Sequence, residues 1–369
     1  MDKSRQVLLV VSEFPPQPGG IGNHAHHLAK YLQKNDFDVR VLCDSRSFNG
    51  EEEKVFDETL TYKVHRVSRK RHRFLMYLKR IKNLFKFIRK VDIVIASGKF
   101  SLWMVAFSSW FYNKDFVAVV HGTEVNFKKA TLKTVIELAL KRFTKIIAVS
   151  EYTKSLISHL KLKHVFFIPN GFDLELWSQD GIEPMNLLGS PKLITVGNVT
   201  ERKGQLHVIR HLPELLKEFP QLHYHCVGIP TEQHRFLEEA KALHVDAHVT
   251  FHGQVDDMAL RQLLVSSDVF VMLSSPTASG DVEGFGIAIL EANALGLPAI
   301  GALGCGIEDA IKRDVSGFLI PIDDSTQFIN ALKTLLGNKK EFSEQAKNWA
   351  NRFDWDIIIQ RYIKVIEKG

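Results

Sequence analysis

Cysteine is scarce: Cys43, Cys226 and Cys305 are the three in 369 residues, far apart and odd in number. They support neither a disulfide framework nor metal-ligand spacing, a pattern that fits a reducing compartment. Long apolar runs are missing as well, since none reaches the roughly 20 residues a membrane-spanning helix needs. The nearest, Phe100 to Tyr112, is uncharged but short and contains three serines, and it reads as a buried helix. The amino terminus, MDKSRQVLLVV, runs from charge straight into a strand-like segment without a signal-peptide cleavage pattern, so a cytoplasmic location is expected. Neither the G-x-G-x-x-G loop of dinucleotide enzymes nor the Walker loop with its lysine occurs, which removes a dehydrogenase reading. Internal repeats and low-complexity segments are also absent.

What is present is a globular composition, 45% hydrophobic and 24% charged. The length favours two domains over one core. The net charge of +6 conceals an asymmetry. Residues 1–180 carry thirty Lys and Arg against eighteen Asp and Glu, whereas the remainder is acidic. Residues 63–90 hold twelve bases and no acid. Opposite charge on the two halves implies different partners.

Short apolar runs alternate with helical patterns throughout. Strands are expected at 7–11, 39–43, 93–96, 117–120, 146–149 and 165–168. The rhythm restarts at 193–196, 224–227, 248–251, 269–272, 298–300 and 318–320. Helices are expected at 23–33, 131–143 and 206–219. Continuous apolar strands separated by helices imply parallel sheets covered on both faces. The seam is expected at IPNGFDLELW, 168–177, where Pro-Asn-Gly punctuates the chain.

Two strand-to-helix loops suit phosphate. EFPPQPGGIGN follows the first strand, and Gly19, Gly20 and Gly22 strip it of side chains where a helix begins. His24, His26 and His27 diverge in direction on that helix and read as surface or capping residues. In LITVGNVTERKG, Arg202 and Lys203 enter a helix start, a fork and a point charge placed for a diphosphate. A third stretch, EGFGIAILEANALGLPAIG, sets Glu283 and Glu291 eight positions apart across Gly284, Phe285 and Gly286. Carboxylates in an apolar run need partners, and vicinal hydroxyls of a sugar are suitable ones.

Together with VVHGTE, AVSEYTK, IPNGFD and FHGQV, these stretches resemble the family 4 retaining glycosyltransferases in order along nearly the whole chain. The resemblance implies an α/β GT-B architecture of two Rossmann-like, doubly wound domains facing across a cleft. It implies an acceptor-binding domain over 1–172, a nucleotide-sugar-binding domain over 173–348, and a final helix, 349–369, packing back on the first. The implied reaction moves a sugar from a UDP- or GDP-linked donor to a glycan or lipid-linked acceptor, with no metal and no cofactor beyond the donor. It places Glu283 by the donor sugar, Gly284, Phe285 and Gly286 at its hydroxyls or phosphate, and Glu291 on the ribose. It sets Lys203 and, from across the cleft, Gly20 on the diphosphate, and His121 by the transferred sugar and acceptor. Glu124 would orient His121 or cap a helix, and Ser150 would be an N-cap. The chain departs from the family at Asn198, where arginine is usual, and Arg202 would supply that charge. Other enzyme and binding readings are a GT-B epimerase or a silent, glycan-binding partner subunit.

The basic stretch 69–90 puts Phe74, Leu78, Ile81, Phe85 and Ile88 at helical spacing, opposite lysines and arginines. It reads as an amphipathic helix on an anionic membrane, at the inner face of the cell membrane, rather than a nucleic-acid surface.

Overall fold

The computed structural model describes residues 5–47, 49–68, 73–179 and 181–367. Residues 69–72 of the basic stretch lie outside them. The chain divides into two compact units, Met1–Gly171 with Trp355–Gly369, and Phe172–Asp354.

The first unit holds strands β1 (Gln6–Val11), β2 (Asp38–Asp44), β3 (Lys63–Val67), β4 (Ile93–Ser97), β5 (Asp115–Val120), β6 (Lys145–Ala148) and β7 (Val165–Phe167). They form one sheet in the order β3-β2-β1-β4-β5-β6-β7, parallel at every pairing. Its helices are α1 (Gly20–Lys34), α2 (Glu51–Glu58), α3 (Arg73–Ile88), α4 (Lys99–Ser108), α5 (Ala130–Leu140) and α6 (Glu151–Leu156). The second unit contains β8 (Lys192–Val196), β9 (His223–Val227), β10 (Val249–Gly253), β11 (Val269–Met272), β12 (Ala299–Ala302) and β13 (Gly317–Ile320), ordered β10-β9-β8-β11-β12-β13. Helices α7 (Gln205–Glu218), α8 (Gln233–Ala242), α9 (Asp257–Val265), α10 (Ile287–Ala294), α11 (Ser325–Gly337) and α12 (Lys339–Ala350) cover it. The last helix, α13 (Trp355–Glu367), belongs to the first unit.

The two sheets follow from the expected apolar runs: Val7 to Val11 and Val269 to Met272 are buried along their whole length. Each fully buried Val or Leu contributes about 1.5–3 kcal/mol of transfer free energy. Both sheets reverse their strand order at the first strand of the unit, beside β4 in one and β11 in the other. Those are the positions where an open α/β sheet presents its loops to ligands.

The chain enters the second unit at Phe172 and leaves it at Asp354, residues that pair in an isolated parallel bridge. Just before, Gly171 lies flat on the Trp355 indole, and a Cβ there would stand 2.8 Å from the ring. Within the first unit, α13 buries Trp355, Ile358, Ile359 and Tyr362. Its Trp355 ring stacks on His27 and Tyr31 of α1 at 5.9 and 5.8 Å.

One expectation needs correction. The run 100–112 forms α4, but only its inner residues, such as Leu102 and Val105, are buried. Phe107, Trp110 and Phe111 stand in solvent: Phe107 is on the outer side of a last turn whose Val105, Ala106 and Ser108 are buried, and Trp110 and Phe111 follow the end of the helix at Ser108.

Candidate active site

In the second unit the loop after β8 turns at Gly197 and enters α7 through Gly204, whose φ is +82°. A Cβ at Gly204 would lie 2.0 Å from the Leu273 carbonyl oxygen, so only glycine lets this loop press on the end of β11. The Ser274 hydroxyl donates to the Arg202 carbonyl and ties the same two loops together. The Lys203 stem runs over Gly197, where an added Cβ would stand 2.9 Å from Lys203 Cε. This close approach directs the ammonium toward the loop after β11.

That loop supplies the carboxylates. Glu283 pairs with the Arg202 guanidinium and, at 2.8 Å, with Lys203 Nζ, while Arg202 Nε lies 3.3 Å from Asp281. The Glu283 side chain is only 12% exposed. Burial would raise its pKa, but Lys203 and Arg202 outweigh burial and hold it below the ordinary carboxylate range. Glu283 is therefore ionised at neutral pH.

Gly286, at φ +86°, then opens α10. The turn before it is seated on Gly306, whose N–H donates to the Glu283 carbonyl at 3.1 Å. A Cβ on Gly306 would meet the Gly284 carbonyl at 2.1 Å. Gly284, Phe285 and Gly286 thus hold their backbone at a helix N-terminus, where N–H groups and dipole favour an anion. One turn into α10, Glu291 is pushed up to about 7 by burial, with Lys203 opposing and Asp257 adding to the rise. Two buried carboxylates share the field of one lysine, and the direct pairing of Glu283 with Arg202 and Lys203 separates their ionisation. Asn198 is exposed, and Arg202 rather than residue 198 brings the second cation to this cluster.

In the first unit α1 packs against the loop after β1. A Cβ on Gly22 would sit 2.9 Å from the Glu13 carbonyl carbon, while Gly20 faces open space. His121 follows β5. Its Nε2 shares a 2.9 Å hydrogen bond with the Ser97 hydroxyl at the end of β4. Glu124 does not hold the His121 ring: its Oε1 accepts the His121 backbone N–H at 2.5 Å. The carboxylate caps the turn, and its Oε2 is buried without a partner. Burial pushes the His121 pKa down to about 4, so the ring is neutral at pH 7.

His24 is not a surface residue. It is buried, its ring stands edge-on to His121 at 5.0 Å, and its Nε2 bonds the Tyr362 hydroxyl at 3.0 Å. Sequence reasoning missed it because nothing local reports that α13 covers this face of α1. Ser150 does cap α6, accepting from the Thr153 N–H at 2.9 Å. Among the described residues no group of three or more His, Cys, Asp or Glu could hold a metal ion.

The two units match two family descriptions: "Glycosyltransferase Family 4" over residues 18–176 and "Glycosyl transferases group 1" over residues 183–352. The chain belongs to the family 4 glycosyltransferases. This glycosyltransferase is 23% identical to the GDP-mannose-dependent monoacylated alpha-(1-6)-phosphatidylinositol monomannoside mannosyltransferase of Corynebacterium glutamicum, over 100% of this chain and 99% of that one. It is 26% identical to the GDP-mannose-dependent alpha-(1-6)-phosphatidylinositol monomannoside mannosyltransferase of Mycolicibacterium smegmatis, over 95% of each. The fold superposes on Anabaena HepE, solved in complex with UDP and glucose, with a TM-score of 0.79 at 20% identity, covering 99% of this chain and 100% of that one. The architecture is GT-B.

Proposed function

We propose that this glycosyltransferase moves a sugar, with retention of anomeric configuration, from a UDP- or GDP-linked donor to a glycan or lipid-linked acceptor in bacterial surface polysaccharide or glycolipid synthesis. One observation carries the reading: Arg202 and Lys203 converge on the ionised Glu283 beside the N-terminus of α10. A diphosphate entering there would take over the two cations and release Glu283 to accept hydroxyl protons of the donor sugar. The N–H groups of Gly284, Phe285 and Gly286 would add neutral donors, and an ionised Glu291 would accept from the ribose hydroxyls. Gly20 and His121 keep the roles that the family resemblance gives them, at the diphosphate and at the sugar and acceptor.

In the transfer, the bond from the anomeric carbon to the diphosphate oxygen breaks as the acceptor oxygen bonds on the same face. The acceptor's proton passes to the departing diphosphate. Charge growing on that leaving group is met by Arg202, Lys203 and the α10 dipole, so the reaction is expected to persist in a chelator. A neutral His121 suits recognition of hydroxyls, since it donates or accepts without bringing charge. The acceptor end of the reading places α3 on an anionic membrane at the inner face of the cell. No helix among the described residues is long and apolar enough to cross one.

The test is thermal melting with UDP, GDP, ADP and their common sugar conjugates, for the wild type and Glu291→Ala. One nucleotide should raise Tm, equivalent to about 2.7 kcal/mol at a hundredfold excess over Kd, and the variant should lose that shift. The absence of a shift with any of them would sink the reading. Binding followed by donor interconversion without transfer would mark an epimerase.

A further inference from the structure

Fifteen large hydrophobic side chains are exposed among the described residues, and eight of them belong to three consecutive helices, α3 to α5, and the turn that ends α4. The concentration is too high for scattered surface residues, which are ordinarily single. On α3, Phe74, Leu78 and Phe85 are four and seven residues apart, within roughly 40° of one another on a helix of 3.6 residues per turn. The adjoining face of α3 is anchored. Arg80 pairs with Asp44 and lies 4.5 Å over the Phe100 ring, and Leu84 and Ile88 are fully buried. The Phe74–Phe85 line is therefore held outward.

It leads directly to α4. Phe85 meets Phe107 and Phe111 at 6.4 and 5.6 Å between ring centroids, and Arg89 donates to the Tyr112 hydroxyl at 3.0 Å. Trp110, 66% exposed, and Phe111, 60% exposed, stand at the crest. From the other side Arg142 donates to Ser109 Oγ at 3.0 Å and lies 5.9 Å from the Trp110 ring, one turn beyond the exposed Leu138 of α5. The exposed apolar residues thus lie on three helices packed side by side, α3 against α4 and α4 against α5, with Arg142 between Trp110 and Leu138.

Its rim is basic. Residues 73–142 contain fourteen Lys and Arg against four acids, and each acid is already engaged. Asp92 accepts the Gln6 N–H at 3.0 Å, Asp115 pairs with Lys145 at 2.7 Å, Glu124 is buried, and Glu137 bonds His159 at 2.7 Å. Lys79, Lys82 and Lys86 on α3, and Lys133, Lys141 and Arg142 around α5, remain in solvent. A second copy of the chain would bring bases against bases, which opposes a symmetric dimer through this face. A layer of anionic headgroups over hydrocarbon complements both features, charge at the rim and aromatic rings at the centre.

We propose that Trp110 and Phe111, with Phe107 and Leu138, form an aromatic wedge that inserts into the interface of an anionic bilayer while the bases of α3 and α5 engage its headgroups. The inference rests on the reading of α3 as a membrane helix and goes beyond it, since α4 and α5 then supply the penetrating element and α3 one flank.

The experiment is co-sedimentation of the full chain with vesicles of phosphatidylcholine alone, and of phosphatidylcholine mixed with phosphatidylglycerol. The wild type should bind the mixed vesicles, release them at high salt, and ignore the neutral ones. The double variant Trp110→Ser/Phe111→Ser replaces exposed side chains only and should bind the mixed vesicles about tenfold more weakly or worse. It should keep the wild-type Tm and nucleotide binding. Phe74→Ser/Leu78→Ser tests the flank separately. If that pair alone abolishes binding while Trp110→Ser/Phe111→Ser binds like wild type, the wedge is wrong and the α3 reading stands. If wild type binds neither vesicle, both fail. Self-association that the Trp110→Ser/Phe111→Ser variant abolishes, without vesicle binding, would make the occupant a second copy and overturn the proposal. Retained nucleotide binding in every arm keeps these failures apart from failure of the proposed transfer reaction.

Discussion

Glu124 shows how one buried atom governs a candidate site. Its Oε1 accepts the His121 N–H, whereas Oε2 has no partner, and the residue is 3% exposed. Burial is the largest influence and pushes its pKa up to about 7, against the opposing hydrogen bonds from the His121 and Glu124 N–H groups, with Glu13 adding to the rise. A carboxyl whose folded pKa is raised holds its proton more tightly when folded. Stability is therefore full below the unfolded pKa near 4.5 and declines as pH rises toward about 7. The loss over that window is about 3 kcal/mol. Glu124→Gln keeps an oxygen for the His121 N–H and removes the ionisation. Thermal melts should show its advantage over wild type growing from pH 5 to 7 and levelling above. Glu124→Ala, which loses the cap, should melt lower than wild type at pH 5. A Glu124→Gln curve parallel to wild type across this range would refute the assignment.

At the scale of elements, the two loops of the second unit are built by glycines that permit contact rather than by residues that make it. Gly204 combines φ +82° with an added Cβ 2.0 Å from backbone. Gly204→Ala must therefore either strain the turn or part the loop from β11, costing about 2 kcal/mol or more. Because Arg202 and Lys203 lie in that turn, the variant should also weaken nucleotide binding. Gly337→Ala, where nothing lies near the added Cβ at the end of α11, serves as the control. Calorimetry on both, with the nucleotide selected by the melting screen, decides it. The elements themselves were largely legible, since β11 appears at the expected 269–272 and most other strands within one or two residues of expectation. The omissions have a physical reason. β3 is an edge strand, KVHRV, with one fully buried residue, and α2 is a short acidic helix. Neither carries the apolar periodicity that announces an element.

At the scale of the molecule, the chain's last helix completes the first unit. Trp355 is fully buried, stacked on His27 and Tyr31 and tilted against His24. Trp355→Ala should cost about 3–5 kcal/mol and lower the melting of the first unit. A nucleotide-induced shift of the second unit's transition should remain measurable. Differential scanning calorimetry with and without nucleotide separates the two outcomes, and equal loss in both transitions would refute this division of labour.

The sequence by itself determined the sheets, the glycine turns and the residue types at the candidate site, because apolar period, turn chemistry and loop motifs are local. Only the tertiary structure decided which carboxylate holds Arg202 and Lys203, that Glu124 caps a backbone N–H instead of a ring, and that His24 is buried beneath α13. It also decided that the aromatics after α4 face outward beside α3 and α5. The Glu124 cap joins residues only three apart and depends on how their turn folds and is buried. The others depend on residues remote in the chain being brought within a few ångströms, and on the burial that results. Those remote contacts set charge states and exposed faces, and no short window of sequence contains both of their partners.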